Sequence, residues 1–268
     1  IGAGVYNVIV SDENGCPIPY EVTITETPAM AIEHDENLDA FYAGYGVSCN
    51  GALDGSIDIT VTGGTGNYTY TWDNGADTED VSGLAAGFYS VLVADENGCD
   101  VDLTVEITET PELLVTNDET LQVFYAGYGV SCFGEENGTI DISVTGGTGN
   151  YTYTWDNGAD TEDLALIGAG FYTVVVADEN GCSDDVTIEV TQTPAGIEVS
   201  HDESLDTVYA GYGVSCNGAI DGSIDLIVTG GTGNYTYSWD NNADTEDLTA
   251  IGAGVYNVIV SDENGCPI

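Results

Sequence analysis

Seven cysteines are the residues of this 268-residue chain best suited to covalent chemistry. Cys49 and Cys99, Cys132 and Cys182, and Cys216 and Cys266 form three pairs, each 50 residues apart. A disulfide needs the two Cα atoms within about 4.4–6.8 Å, so the chain between them must return to its starting end. Between Trp72 and Phe88 there is length for one strand of useful size. With Cys49 at the top, the chain descends through Ile57–Thr62, rises to Trp72, descends once, and rises to Asp95. That path brings Cys99 back beside Cys49. The expectation is a disulfide within each pair, closing a loop worth about 4 kcal/mol on the chain-entropy account. The competing reading is buried free thiols. Oxidising surroundings favour the bond. Cys16 then has its partner before residue 1. A zinc site is not expected, because no CxxC occurs and the two histidines do not accompany the cysteines.

Carboxylates are the second candidate chemistry. One acidic group recurs three times: Asp73, Asp77, Glu79 and Asp80; Asp156, Asp160, Glu162 and Asp163; Asp240, Asp244, Glu246 and Asp247. Further clusters are Asp12, Glu13 and Asn14; Asp54 and Asp58; and Glu33, His34, Asp35, Glu36 and Asp39. Oxygen-rich loops of this kind suit Ca2+, the one cofactor the sequence suggests. The plainer reading is a solvated face with diffuse counterions, since none of the clusters is an EF-hand loop. Asp95-Glu96-Asn97-Gly98 reads as a hairpin turn rather than a ligand set. Carboxylate pairs can run glycoside hydrolysis, but these clusters are local and repeated. His34 and His201 have Asn117 as their counterpart in the intervening repeat, which is no way to build a catalytic dyad. The GGTGN segments lie between strands, not before helices, and are turns rather than nucleotide loops. The sequence therefore predicts no enzyme.

Aromatics and sequons complete the candidates. Tyr68, Tyr70 and Trp72 share one face of a strand, because alternate residues point the same way. Trp72 is expected in the core with the tyrosines at its edge; the sharper alternative is a sugar-binding platform. Tyr42 and Tyr45, with Gly44 and Gly46, could form a second aromatic patch or pack on a neighbouring domain. Asn67, Asn137, Asn150 and Asn234 each begin Asn-x-Thr, and Thr207 lies in an Asp-Thr-hydrophobic pattern; these are the candidate glycosylation positions.

Composition narrows the function classes. There is no Lys or Arg against 47 Asp and Glu, a formal charge of −47. Nucleic-acid binding, adsorption to anionic membranes and phosphate transfer all need a cationic side chain and are excluded. Isopeptide crosslinks are excluded for want of Lys. The 42% of aliphatic, aromatic and Cys residues is too high for a disordered acidic tail. No apolar run is long enough to span a bilayer, so no direct membrane insertion is expected in this segment. Partners expected are cations, glycans or other surfaces, and further copies of the same repeat. The expected location is extracellular, at a cell surface.

The elements that must position these residues are repeated. Cys16, Cys99, Cys182 and Cys266 are separated by steps of 83, 83 and 84 residues, and Trp72, Trp155 and Trp239 follow the same step. Each unit runs YAGYGVSC, GGTGNYTY, Trp-Asp-Asn, ADTED and DENGC. Residues 1–18 recur unchanged at 251–268, so the chain opens and closes at one phase of the repeat, as a segment of a longer polymer is expected to. Period-2 patterns rich in Val, Ile, Thr and Tyr predict strands. In the second full unit these fall near Leu113–Thr116, Val123–Cys132, Thr139–Thr145, Tyr151–Trp155, Glu162–Ile167, Phe171–Ala177 and Cys182–Thr191. Seven strands, an odd number, send the chain in at one pole and out at the other. Thr-Pro steps at 27–28, 110–111 and 193–194 mark boundaries. The expected domains are the C-terminal part of one repeat (1–28), two whole repeats (29–111 and 112–194), and one lacking its last strand (195–268).

The stretch VSCNGALDGSIDITVTGGTGNYTYTWDNG, followed by GLAAGFYSVLVADENGC, resembles the SprB repeat. That is the immunoglobulin-like module of very large surface adhesins of gliding bacteria. The Gly-x-Tyr-x-Val-x-Val-x-Asp string also resembles PKD-type domains. The stretch HDENLDAFYAGYG before the first Cys is longer and more aromatic than is usual in the family. The resemblance implies an all-β chain of tandem immunoglobulin-like β-sandwiches arranged end to end. Two functions fit: a structural stalk or filament formed by one continuous chain, or an adhesin array whose domains hold glycans or surfaces. Near-identity of the units favours the first, since repetition serves length better than specificity.

Overall fold

The computed structural model describes residues 1–35 and 37–268, with every side chain among them except those of Asp39, Gln122, Glu203 and Ser204. The chain divides into two compact units. One holds Ile1–Glu112 with Gly146–Thr148 and Asn180–Cys182; the other holds Leu113–Thr145, Gly149–Glu179 and Ser183–Ile268.

The first unit opens with a hairpin of β1 (Gly4–Ser11) and β2 (Pro17–Ile24). Val8, Val10, Val22 and Ile24 of this hairpin are exposed. A full repeat follows: β3 (Ala31–His34), β4 (Gly55–Ile57), β5 (Ile59–Thr62), β6 (Tyr68–Trp72), β7 (Val81–Leu84), β8 (Gly87–Asp95) and β9 (Asp100–Ile107). Asp58 interrupts one long strand where it changes partner: β5 pairs with β3, and β4 with β7, both antiparallel. Facing them is an antiparallel sheet in the order β6-β8-β9. Alternation does the rest. Along β8, Val91 and Val93 point inward while Leu92 points out, and they meet Ile57, Ile59, Trp72, Val105 and Ile107 in one core. Trp72 is 2% exposed, and its indole Nε1 donates to the Thr78 carbonyl at 2.8 Å, so the largest core residue leaves no polar atom unpaired. The architecture is the all-β immunoglobulin-like sandwich.

Strand directions follow from the antiparallel ladders, and they correct the expected path. If β4–β5 runs downward, β7 runs upward, β8 downward and β9 upward; β6, antiparallel to β8, also runs upward. The chain therefore descends between Trp72 and Val81. It does so without a ladder, as an irregular segment pinned by Trp72 N to the Ala76 carbonyl and by Ile59 N to Asp80 Oδ1. Two passes, not one, fit between Trp72 and Phe88. The hairpin carrying Cys99 lies at the bottom, while Gly46 and Val47, both donating to the Thr108 carbonyl beyond β9, hold the Cys49 loop at the top. Cys49 and Cys99 sit at opposite poles of one sandwich.

The second unit holds two more repeats. In one, β10 (Leu114–Asn117), β11 (Gly138–Ile140), β12 (Ile142–Thr145), β13 (Thr152–Trp155), β14 (Leu164–Ile167), β15 (Gly170–Ala177) and β16 (Ser183–Val190) reproduce the same pairings. Val174, Val176 and Trp155 fill its core. In the other, β17 (Glu198–His201), β18 (Gly222–Ile224), β19 (Leu226–Thr229), β20 (Thr236–Trp239), β21 (Leu248–Ile251) and β22 (Val258–Ser261) do likewise, with a two-stranded β20-β22 sheet. The strand expected over Val123–Cys132 is absent. Glu119–Val123 form a 3-10 turn, and Tyr125 and Tyr128 close a tight turn in which Ala126 (φ 48°) and Gly127 (φ 93°) are both left-handed. Positive φ at both central residues is the mark of a type I′ turn. Each full repeat thus has seven paired strands, but β4 and β5 make a single pass (as do β11 and β12), so the descending irregular segment supplies the seventh pass. The chain still enters at one pole and leaves at the other.

Candidate functional site

The site is built from two small devices that recur in every repeat. The first is the hairpin DENGC. Asp95 is 5% exposed, and its Oδ1 accepts from the amides of Asn97 and Cys99, both at 2.9 Å. Its Oδ2 accepts from Thr65 N at 3.2 Å, tying the hairpin to the turn after β5. Burial works to raise the pKa of Asp95, but the bonds from Cys99, Thr65 and Asn97 outweigh it and hold the carboxyl below its ordinary range. Asp262 makes the same set of bonds, to Asn264 N, Cys266 N and Thr232 N, each at 3.0 Å. Asn97-Gly98 is the turn the sequence predicts, and the Asp95 carboxylate serves its backbone.

The second device is the loop YAGYGVSC. Its left-handed Ala-Gly pairs are Ala43-Gly44, Ala126-Gly127 and Ala210-Gly211. Tyr42 N donates to the Tyr45 carbonyl at 2.9 Å and Tyr45 N to the Tyr42 carbonyl at 3.0 Å. Past the turn, Ser48 N donates to Asp54 Oδ1 at 3.1 Å; hydrogen bonding by the Ser48 side chain first, and by this amide behind it, holds Asp54 below its ordinary pKa against its burial. Burial first, and then the Asp54 charge, push the Tyr42 phenol up. Asn137 replaces that aspartate in the next repeat, taking Ser131 N on Oδ1 at 3.0 Å and returning Nδ2 to Ser131 Oγ.

The two devices meet, and they meet between repeats. Cys49 is bonded to Cys182, and Cys132 to Cys266, with Cα atoms 5.6 Å apart in both. The expected pairs Cys49–Cys99, Cys132–Cys182 and Cys216–Cys266 do not form, because loop and hairpin of one repeat lie at opposite poles. The Cys182 and Cys266 hairpins instead each reach the loop of the repeat before their own. Asn180 Nδ2 donates to the carbonyls of Tyr42 (3.3 Å) and Ser48 (3.2 Å), and Cys182 Sγ lies 3.1 Å from the Ser48 carbonyl oxygen. In the second unit Asn264 Nδ2 reaches the carbonyls of Tyr125 (3.4 Å) and Ser131 (3.0 Å), with Cys266 Sγ 3.2 Å from the latter. Cys16, Cys99 and Cys216 are free and exposed. The asparagine of DENGC is the functional residue sequence reasoning missed: Asn before Gly reads as turn chemistry, and nothing in the motif reveals its second task.

The other candidate residues have local roles. Asp73, Asp156 and Asp240 accept from the amides of Ser90, Thr173 and Asn257, and Asp80, Asp163 and Asp247 accept from those of Ile59, Ile142 and Leu226, all at 3.0–3.1 Å. Glu79, Glu162 and Glu246 face Tyr70, Tyr153 and Tyr237, whose phenols are pushed up first by burial and then by these charges. Asp77, Asp160 and Asp244 are exposed. Six of these twelve carboxylates are thus committed to amides, a poor start for a Ca2+ ligand set. Among the described residues no three His, Cys, Asp or Glu are placed to hold a metal ion; Glu36 lies outside the described residues, as does the side chain of Asp39. His201 Nε2 lies 3.1 Å from Asp206 Oδ2. Tyr68 and Tyr70 pack half-buried on the core, and Tyr68 OH donates to the Gly63 carbonyl at 2.6 Å. Asn67, Asn150 and Asn234 are exposed and turn their amides to Glu96, Glu179 and Glu263. Thr207 is exposed at the end of a 3-10 turn.

The model of the SprB repeat matches residues 47–77, 130–160 and 214–244. No curated protein matches the chain. Among solved structures, the chain is similar to a C-terminal 282-residue fragment of intimin in complex with the intimin-binding domain of the translocated intimin receptor. That pair shares 13% identity over 88% of this chain and 100% of the other, with a TM-score of 0.28. It is similar also to a Ca2+-stabilised adhesin that helps an Antarctic bacterium reach out and bind ice (16% identity, 98% and 79% covered, TM-score 0.29). A third likeness is to Dpr2 Ig1-Ig2 in complex with DIP-Theta Ig1-Ig3 (8% identity, 81% and 91% covered, TM-score 0.26). Each family match begins two residues before a loop cysteine, at Val47, Val130 and Val214, and takes in three strands: β4–β6, β11–β13 and β18–β20. At three places, one in each repeat, the chain is similar to the SprB repeat.

Proposed function

We propose that this chain is a structural segment of a long extracellular stalk or filament at a cell surface, formed by one continuous run of SprB repeats and without catalytic activity. The repeats correspond to 29–111, 112–194 and 195–268, with 1–28 the end of another. The observation that carries the reading is the pair of disulfides that step from one repeat to the next over 133 and 134 residues. A bond within a domain stabilises that domain. A bond between successive domains fixes their order and carries load past either of them if it unfolds. A charge of −47 without a cationic side chain keeps such an array soluble and leaves nothing for a trypsin-like protease to cut. The glycan-binding alternative is weaker: the tyrosines that would form its platform, Tyr68 and Tyr70, are packed on the core. Denaturing, reducing electrophoresis of fibres purified from the native source tests the proposal. Bands far above the 27.9 kDa of this chain are expected; a discrete band near that mass refutes it.

A further inference from the structure

The bonded cysteines sit in near-identical settings, and oxidation alone cannot choose among them. Cys49 and Cys132 both end the motif YAGYGVSC, and Cys182 and Cys266 both end the motif DENGC. Four cysteines allow three pairings, and the structure holds one, Cys49–Cys182 with Cys132–Cys266. We infer that Asn180 and Asn264 are the positioning residues of this oxidation. Each side-chain amide seats its hairpin on the loop of the preceding repeat before the bond exists, and so selects which thiols meet.

The amide fits that task. A carboxamide nitrogen carries two N–H donors, and the loop offers two carbonyls. Asn180 Nδ2 lies 3.3 Å from the Tyr42 oxygen and 3.2 Å from the Ser48 oxygen. Asn264 Nδ2 lies 3.4 Å from the Tyr125 oxygen and 3.0 Å from the Ser131 oxygen. Ser48 and Ser131 directly precede the loop cysteines, and each asparagine stands just before the Gly-Cys of its hairpin. Holding the serine carbonyl on the amide brings the cysteine Cα atoms to 5.6 Å, inside the range that a disulfide spans.

The hairpin itself makes no demand for asparagine at this place. Gly265 N donates to the Asp262 carbonyl at 2.9 Å, closing the turn Asp262–Gly265. Its left-handed residue is Gly265 (φ 79°); Asn264 is not left-handed, so the turn is of type I, whose third place accepts most residues. Asp262 holds the turn through the backbone amides of Asn264 and Cys266. The Asn264 side chain is left to the loop.

Both surfaces are formed locally. Tyr125 and Tyr128 exchange two backbone bonds of 2.9 Å, and Asn137 Oδ1 takes Ser131 N, so the loop carbonyls are already in place. None of these bonds, nor those of Asp262, crosses the joint. Docking therefore orders little new backbone, which favours association. Oxidation then removes two electrons and two protons from the seated thiols. Oxidised glutathione takes them by thiol–disulfide exchange, and two molecules of reduced glutathione leave.

The inference does not depend on the stalk reading, and it is tested on the 268-residue protein. Wild type, Asn264→Ala, Asn180→Ala and Asn264→Asp are equilibrated in a glutathione redox series at neutral pH. Each disulfide is then quantified by mass mapping of acid-quenched, non-reducing digests. Asn264→Ala is expected to lower the equilibrium constant of Cys132–Cys266 about tenfold, equivalent to about 1.4 kcal/mol, and to leave Cys49–Cys182 unchanged. Asn180→Ala is expected to do the reverse, so each bond is the folding control for the other. Asn264→Asp keeps the side-chain shape but turns a carboxylate toward two carbonyl oxygens, and should fall at least as far as the alanine variant. A residue serving only the turn predicts instead that the Asp variant matches wild type. That result, an unchanged constant in both alanine variants, or loss of both bonds from either single variant, overturns the inference.

Discussion

Cys49 is bonded to Cys182 across 133 residues, and the second bond, Cys132 to Cys266, begins before the first has closed. The two spans overlap between Cys132 and Cys182. Every backbone position from Cys49 to Cys266 therefore lies inside at least one covalent bridge. A single backbone cut there leaves the two pieces joined. Glutamyl endopeptidase acting at exposed Glu112, between repeats, provides the measurement. The singly nicked protein should run as one species on non-reducing gels and separate only with reductant. Fragments that part without reductant contradict the pairing.

Asp262→Asn tests the hairpin that presents the cysteine. The carboxylate accepts from three amides, and the substituted amide group turns one acceptor into a donor facing Thr232 N or the hairpin. An unpaired buried donor costs about 1–3 kcal/mol. Denaturant melts of the second unit's transition should fall by that amount, and the Cys132–Cys266 bond should form more slowly in refolding. A variant indistinguishable in both readouts removes Asp262 from its role.

Acid should destabilise the fold despite relieving its charge repulsion. Asp54, Asp95, Asp118 and Asp221 are all held below the ordinary carboxylate range. A group with a depressed folded pKa contributes stability above its unfolded value, about 3.9, and loses it as pH falls through the folded value. The tyrosines Tyr42, Tyr70, Tyr153 and Tyr237 are shifted the other way. Their contribution is present below about pH 10 and is lost above it. Thermal melts in high salt, where repulsion is screened, should show a plateau falling below pH 4 and above pH 10. A melting temperature that rises steadily to pH 2 contradicts the carboxylate assignments.

Salt should stabilise the chain at neutral pH. Forty-seven acids with no cationic side chain repel one another, and raising NaCl from about 0.01 M to 1 M shortens the Debye length from about 30 to 3 Å. Melting temperature is expected to climb across that range, and a flat or falling curve refutes it. Calcium is separated by adding a chelator at fixed ionic strength. A specific bound ion raises the melting temperature by mass action, so a fall on chelation marks one, and no change assigns the whole effect to screening.

The strands and cores were legible because their signals are local. Val91 and Val93 alternate with Leu92, Trp72 recurs at the same phase, and Asn97-Gly98 announces a hairpin. What hid was the pass that makes no ladder. Residues 73–80 cross the sandwich as an irregular segment held by Trp72 and Asp80, and periodicity has no term for a descent without strand pairing. Missing it reversed the predicted direction of β8 and moved Cys99 to the wrong pole. The YAGY turn hid for a related reason. Ala43, Ala126 and Ala210 are left-handed, a state costing about 1–2 kcal/mol for a residue with a Cβ, so two tyrosines around Ala-Gly read as strand. The contact of Asn180 with Ser48 was beyond reach, since it joins segments 132 residues apart.

The most direct measurement of the account is disulfide mapping of the native protein by mass spectrometry after non-reducing glutamyl digestion. Crosslinked peptides joining Cys49 to Cys182 and Cys132 to Cys266 are predicted, each a bond from one repeat to the next. Peptides joining Cys49 to Cys99 or Cys132 to Cys182, or all four cysteines recovered as thiols, would contradict it.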